Sequence, residues 1–342
     1  MAINDSVMEL PMPRLDRTQD VVQRLRGHWR LNLSEPLWGR SAILALRRVL
    51  DDEAEARLPH RADWCLGPDS FQQLLESLSD SAQIVSLESA LQLHHDQLPR
   101  IALTFDGGWR DTLKQVSPTL ERMALPANVF LPCPIAQRAW SSWHEALGEA
   151  LWHEDTAERA ARHLVESGLP VPPACIGRRD EHYSQAIKTY IDELDQSHKP
   201  AMLHAVAATL NADAIVSGES LDAFSIRRLE QGGLFRFGSL IPPRFTTRDA
   251  GTLARLRESQ HQLAILCRHP LPIAADADVG TIADDDLARL ATGAGIEHVL
   301  TRRAGWLEPS VDTVLLPRFV ITQPVANSPG RLFDWLLGNL NS

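Results

Sequence analysis

Ile101-Ala102-Leu103-Thr104-Phe105-Asp106-Gly107-Gly108-Trp109-Arg110-Asp111 is the stretch whose reading decides the fold. The apolar run Ile101 to Phe105 is too short for a helix, is rich in strand formers, and stops at an acid and two glycines that permit a sharp change of direction. From Arg110 a helical spacing takes over through Val116, Leu120 and Met123, with Asp111 suited to its first turn. The unit is therefore strand, glycine turn, helix. It places Asp106 at the carboxyl end of a strand, where parallel sheets and α/β barrels put their chemistry.

Outward from this unit the same rhythm continues. Ser41 to Leu46 reads as a first strand, and Pro68-Asp69-Ser70 opens a helix with Phe71, Leu74, Leu75 and Leu78 on one face. Ile84 to Ser86 is a short strand, Ser86 a cap for the next helix, and Ala127 to Leu131 a further strand. From about 139 to 214 the signal is helical, with helices expected at Trp140–Trp152, Thr156–Glu166, Tyr183–Leu194 and Lys199–Leu210, which reads as an insertion. Beyond it come helix 222–231, strand Leu234–Phe237, helix 246–260, strand Leu263–Leu266, helix 283–292, strand His298–Thr301, strand Val314–Leu316 and a final helix 331–340. Alternating strands and helices without hairpins predict a parallel, barrel-like α/β architecture. Residues 1–40 form an N-terminal extension with one helical candidate near Thr18–Trp29, and 41–342 form the barrel domain.

Composition narrows the function. Lys+Arg 34 against Asp+Glu 44 gives a net charge of -10, which argues against a partner bound through nucleic-acid phosphates. The start of the chain has no basic segment followed by a long apolar run, and no stretch approaches the ~20 apolar residues of a membrane span. A cytoplasmic location is expected. Cys65, Cys133, Cys175 and Cys267 lack any CxxC spacing and read as buried small residues. The adjacent His94 and His95 read as a solvated helix end, because neighbouring helical positions diverge. Asp284-Asp285-Asp286 reads as the acidic start of a helix, and Gly293 and Gly295 as a helix end. The Trp-His-Glu repeats at 143–145 and 152–154 do not give HExxH zinc spacing, since position 148 is Gly.

The order of motifs resembles the polysaccharide deacetylases of the NodB-homology type, carbohydrate esterase family four, over most of 41–320. Leu103-Thr104-Phe105-Asp106-Gly107-Gly108 is similar to the family's Thr-Phe-Asp-Asp-Gly signature, and Ile43 to Val49 to a first strand that commonly carries Tyr-His. Leu234 to Arg244 is similar to the segment reading Gly-Ser-His with a second His four residues later. Arg268-His269-Pro270 resembles an Arg-Pro-Pro or Tyr-Pro motif, and Leu316-Pro317-Arg318 a late Pro-Arg strand. The resemblance implies a distorted (β/α)7 barrel with a mainly helical insertion. It implies one Asp as general base, with a second Asp and two His holding a divalent metal.

On this resemblance Asp106 matches the base, while Gly107, Leu240 and Arg244 stand at the three metal-ligand positions. Glycine and leucine cannot ligate through side chains and arginine repels a cation, so no metal and no other cofactor is expected. Arg47, Arg244 and Arg268 are then expected to converge on Asp106, forming with Trp109 and His269 a pocket for a carbohydrate or acylated sugar, neutral or anionic. A non-catalytic member binding a glycan or a partner enzyme of polysaccharide synthesis is one reading. A hydrolase of N-acyl or O-acyl sugars using Asp106 and arginines is a second, and a metal enzyme recruiting His269 or His298 a third. If the backbone follows the family, Gly107→Asp with Leu240→His and Arg244→His should rebuild a zinc site in a folded protein.

Overall fold

A computed structural model describes residues 37–51, 64–132, 143–176, 181–197, 202, 206, 220–241, 251–276, 283–307 and 313–339. Arg244, Cys133, the Thr18–Trp29 helix and nearly all of the Lys199–Leu210 helix lie outside them. In chain order the elements begin with β1 (Ser41–Leu46), β2 (Arg48–Val49), β3 (Cys65–Leu66), α1 (Pro68–Ser79), β4 (Gln83–Val85), α2 (Leu87–Ala90) and β5 (Arg100–Asp106). A π-helical turn, Thr112–Val116, leads into α3 (Ser117–Met123) and β6 (Ala127–Pro132). Then come α4 (Trp143–Trp152), α5 (Glu154–Glu166), α6 (Glu181–Ser197), α7 (Ala223–Gln231), β7 (Phe235–Ile241), α8 (Gly251–Leu266), β8 (Ile273–Asp276) and α9 (Asp284–Gly293). The chain closes with β9 (His298–Leu300), β10 (Leu315–Leu316), β11 (Phe319–Val320), α10 (Gln323–Ala326) and α11 (Pro329–Gly338).

Nine of these strands form one curled sheet in the order β10-β9-β8-β7-β6-β5-β1-β11, with β4 also on β5. Every pairing in it is parallel. β1 pairs with β5 along Arg100 to Phe105, while β4 takes Arg100 to Ala102 and β6 takes Thr104 to Asp106. The end strands β10 and β11 are separated in the chain only by Pro317 and Arg318. The result is a distorted (β/α) barrel whose last gap is spanned by two residues of chain rather than by a backbone ladder.

Because the strands are buried on both faces, their sequences run apolar without alternation, while the side chains still part by twos. Ile43, Ala102, Phe130, Leu240, Ala275 and Leu300 pack together inside the barrel. Leu44, Leu103, Phe105, Val129 and Phe237 face outward against Phe71, Leu74 and Leu78 of α1 and Ile226 and Leu229 of α7. Helices α4 to α6 of the insertion bury their own cluster, including Leu147, Leu151, Leu164, Ile187 and Tyr190. Among the described residues no helix is long and apolar enough to cross a membrane.

Two expectations are corrected. Leu263–Leu266 is the last turn of α8, not a strand: Leu263 is fully buried while Ile265 is 61% exposed, a divergence that strand neighbours two apart would not show. Thr252, Leu256, Ser259 and Leu263 are its buried face. The strand at this place in the sheet is β8, whose Ile-Ala-Ala-Asp sequence carries little strand propensity. His94 is buried, its Nε2 beside Ser41 Oγ and the Arg40 carbonyl, both at 3.2 Å. Cys65, Cys175 and Cys267 are buried, as expected, and burial beside Glu193 pushes the Cys175 thiol up to about 11.

Candidate functional site

Period-two alternation along β5 sets Ala102, Thr104 and Asp106 on the inner face, so the last of them ends at the barrel mouth. There the Asp106 carboxylate meets Arg318, the residue in the gap between β10 and β11. Nη1 donates to Oδ1 at 2.8 Å and Nη2 to Oδ2 at 3.0 Å. The three other donors of Arg318 are also used: Nε to the Thr301 carbonyl at 3.1 Å, Nη1 to Thr104 Oγ1 at 3.3 Å and Nη2 to the Asp276 carbonyl at 3.2 Å. All five guanidinium N–H groups are therefore satisfied. Arg318 is fully buried, and its fork joins the carboxyl ends of β5, β8 and β9 across the barrel axis.

The turn after Asp106 decides what else can stand there. Gly107 N–H donates to the Phe130 carbonyl, and Gly107 and Gly108 have φ of 112° and 61°, conformations that side-chain-bearing residues rarely adopt. The chain then folds the Trp109 indole back over the turn. A Cβ at Gly107 would lie 2.2 Å from Trp109 Nε1. Trp109 is 4% exposed, its Nε1 has no hydrogen-bond partner among the described residues, and the Arg48 guanidinium lies 4.6 Å from the ring centre. Arg48 in turn pairs with Asp111 at 3.3 Å, and the Val49 N–H donates to Asp111 Oδ2 at 2.8 Å. Burial pushes the Asp111 carboxyl up, against the opposing pull of Arg48 and the Val49 N–H.

These residues do not fit the metal that the resemblance implies. The volume a ligand at position 107 would need is filled by Trp109, Leu240 is 1% exposed within the barrel's apolar interior, and Asp106 is already neutralised by a guanidinium. Among the described residues no group of three or more His, Cys, Asp or Glu side chains is placed to hold an ion. The expected repair by Gly107→Asp is corrected by the same geometry, since the new side chain would displace the indole.

Of the expected pocket, Arg47 and Asp106 come together. They line a small open pocket with Trp64 and Arg302 at the mouth. Arg47 and Arg302 lie over the Trp64 ring, 5.2 and 4.5 Å from its centre. Arg268 and His269 do not join them. They precede β8, and in an all-parallel barrel this is the end opposite Asp106; both backbone N–H groups donate to Glu230 at 2.9 Å, and the His269 carbonyl accepts from Arg236. His298 opens β9 at that same far end, with Nδ1 3.1 Å from the Thr313 carbonyl. The convergence of Arg268 on Asp106 and the recruitment of His269 or His298 to it are thus corrected by strand direction. Trp109 packs back against the turn at Gly107 and does not line the pocket.

Sequence reasoning missed Arg318, Trp64 and Arg302 as site residues. Arg318 stood in the late Pro-Arg motif, which was a usable signal, whereas nothing local marks Trp64 or Arg302.

No protein-family model matches the sequence, and no curated protein matches it. Solved structures do resemble it in backbone course. A polysaccharide deacetylase from Bacillus cereus aligns with a TM-score of 0.53 at 11% identity, over 87% of this chain and 69% of that one. The Streptococcus pyogenes deacetylase PplD, in complex with acetate, gives 0.52 at 14% identity over 89% and 100%. A de-N-acetylase from Aggregatibacter actinomycetemcomitans gives 0.51 at 14% over 87% and 100%. With so little identity the likeness concerns the fold, and the fold of this chain is that of the polysaccharide deacetylases.

Proposed function

We propose that this chain is a deacetylase-like protein of carbohydrate metabolism that binds a glycan at the barrel mouth without hydrolysing it. The observation that carries the reading is the Trp109 indole filling the space of the metal-binding carboxylate beside Asp106. Amide hydrolysis needs a water made nucleophilic and an oxyanion stabilised in the transition state. The pocket arginines can serve the second need, but a guanidinium does not acidify a bound water as a Lewis-acidic ion does. Asp106, clasped through both oxygens, is left as an anchor for Arg318 and as part of the pocket wall. The carbohydrate class comes from the fold neighbours, two of which are named as a polysaccharide deacetylase and a de-N-acetylase. In this reading residues 1–40 are an extension of a barrel domain at 41–342, with 139–214 inserted.

A second reading, a metal-independent hydrolase acting on the carbon-nitrogen bond of acylated amino sugars, draws on the presence of Asp106, Arg47 and Arg302 in one pocket. One experiment separates the two: chito-oligosaccharides and the purified protein, followed by calorimetry for binding and by acetate release for turnover, with and without added zinc. The account expects binding and no acetate above a protein-free control. Acetate release that disappears in Asp106→Asn would overturn it.

A further inference from the structure

We infer that the oxygens around Arg318 form a guanidinium-selective binding site in their own right, filled in the parent protein by a ligand tethered to the chain. The inference is independent of the carbohydrate reading. The acceptors are both Asp106 carboxylate oxygens, Thr104 Oγ1 and the carbonyls of Thr301 and Asp276, each 2.8 to 3.3 Å from a guanidinium nitrogen. They stand on β5, at the end of β8 and just after β9, whereas Arg318 comes from the gap between β10 and β11. The cradle is thus built by other strands than the stretch that fills it. A C–N bond of about 1.3 Å plus these hydrogen bonds sets the oxygens about 4 Å from the centre of the guanidinium. Metal ions hold oxygen ligands at about 2.0–2.6 Å. An ion at the centre would touch none of the oxygens, and one drawn against Asp106 would forfeit the rest. An ammonium has three donors in a cone rather than five in a plane. One carboxylate among the acceptors asks for one positive charge, and buried acceptors left without donors are costly, so a planar cation that restores them is strongly favoured. Asp106 also borders the open pocket at the mouth, which gives a free cation a way in once the Arg318 side chain is gone.

The test is rescue of the full-length Arg318→Ala variant, followed by thermal unfolding. The variant should melt below the parent, and guanidinium chloride should raise its midpoint saturably against sodium chloride at the same ionic strength. A ligand of four non-hydrogen atoms reaches at best a dissociation constant of roughly 10⁻⁵–10⁻⁴ M, so the titration runs to about 50 mM, far below denaturing concentrations. Urea, planar and of the same size but uncharged and with an acceptor in place of one donor group, should give no rise, and neither should zinc chloride. The parent, whose cradle is full, and Arg318→Ala combined with Asp106→Leu, whose cradle has lost its charge, should not respond to guanidinium. Absence of a rise in Arg318→Ala, or an equal rise with sodium chloride, with zinc or in the double variant, overturns the inference. Should Arg318→Ala not fold, the parent decides by NMR: a guanidinium held through all five donors shows a separate resonance for each Nη–H proton, and averaging of those resonances by free rotation overturns the inference.

Discussion

At the scale of single residues, Arg318 and Gly107 bear most of the account. Removing one member of a buried ion pair leaves the other charged and without its partner, so Arg318→Met is expected to lower unfolding free energy by about 3–5 kcal/mol. Replacing both, Arg318→Met with Asp106→Leu, should recover a substantial part of that loss, because two apolar groups carry no desolvation penalty. Urea unfolding of the single and double variants checks the sign of the coupling. Gly107→Ala meets both a φ of 112° and the Trp109 indole, and a loss of at least about 2 kcal/mol is expected. If the indole is the obstacle, Trp109→Ala in the same chain should make the Gly107→Ala step less costly, since the added methyl then enters vacated space. Equal costs in both backgrounds would place the strain in the backbone alone.

Elements were legible where local chemistry and burial agree. The Asp106 turn, α1 and β1 follow from apolar period and turn residues, and Ser86 caps α2 through the Ser89 N–H as its position suggests. Asp222 does the same for α7, accepting from Ser225 N–H at 2.7 Å. Asp222→Ala is expected to lose about 1 kcal/mol at neutral pH. The Ser225 N–H holds the Asp222 carboxyl below its ordinary value of 3.8, so the parent's advantage is present above that value and lost as the pH falls through the lowered one. Thermal melts of parent and variant at neutral and strongly acid pH measure it. Leu263 to Leu266 misled because four apolar residues in a row fit a strand or the last turn of a helix equally well, and the period of α8 decides only when carried through from Thr252. β8 and β11 were missed for complementary reasons. One is rich in alanine and the other is two residues long, so their strand state comes from pairing with β7 and β1 rather than from propensity.

For the whole molecule, the parallel barrel was readable because its rule is repetitive, whereas the site was readable only on the strand that ends in Asp106. Arg318 lies 212 residues from Asp106 in the chain, and the two meet because β10 and β11 flank the barrel's last gap. Arg268 and His269 were placed by motif likeness to the wrong end, an error that strand direction exposes at once. The pocket pairing of Arg47 with Trp64 and Arg302 depends on loops brought together by closure, and no spacing in the sequence encodes it. The central proposal is that the mouth of this barrel works without a bound metal; what the structure shows there is the Arg318 guanidinium of the chain itself against Asp106. Elemental analysis and zinc titration of the purified full chain test it most directly. The account predicts substoichiometric zinc after dialysis and no saturable site; one tightly held zinc per chain, lost in Asp106→Asn, would contradict it.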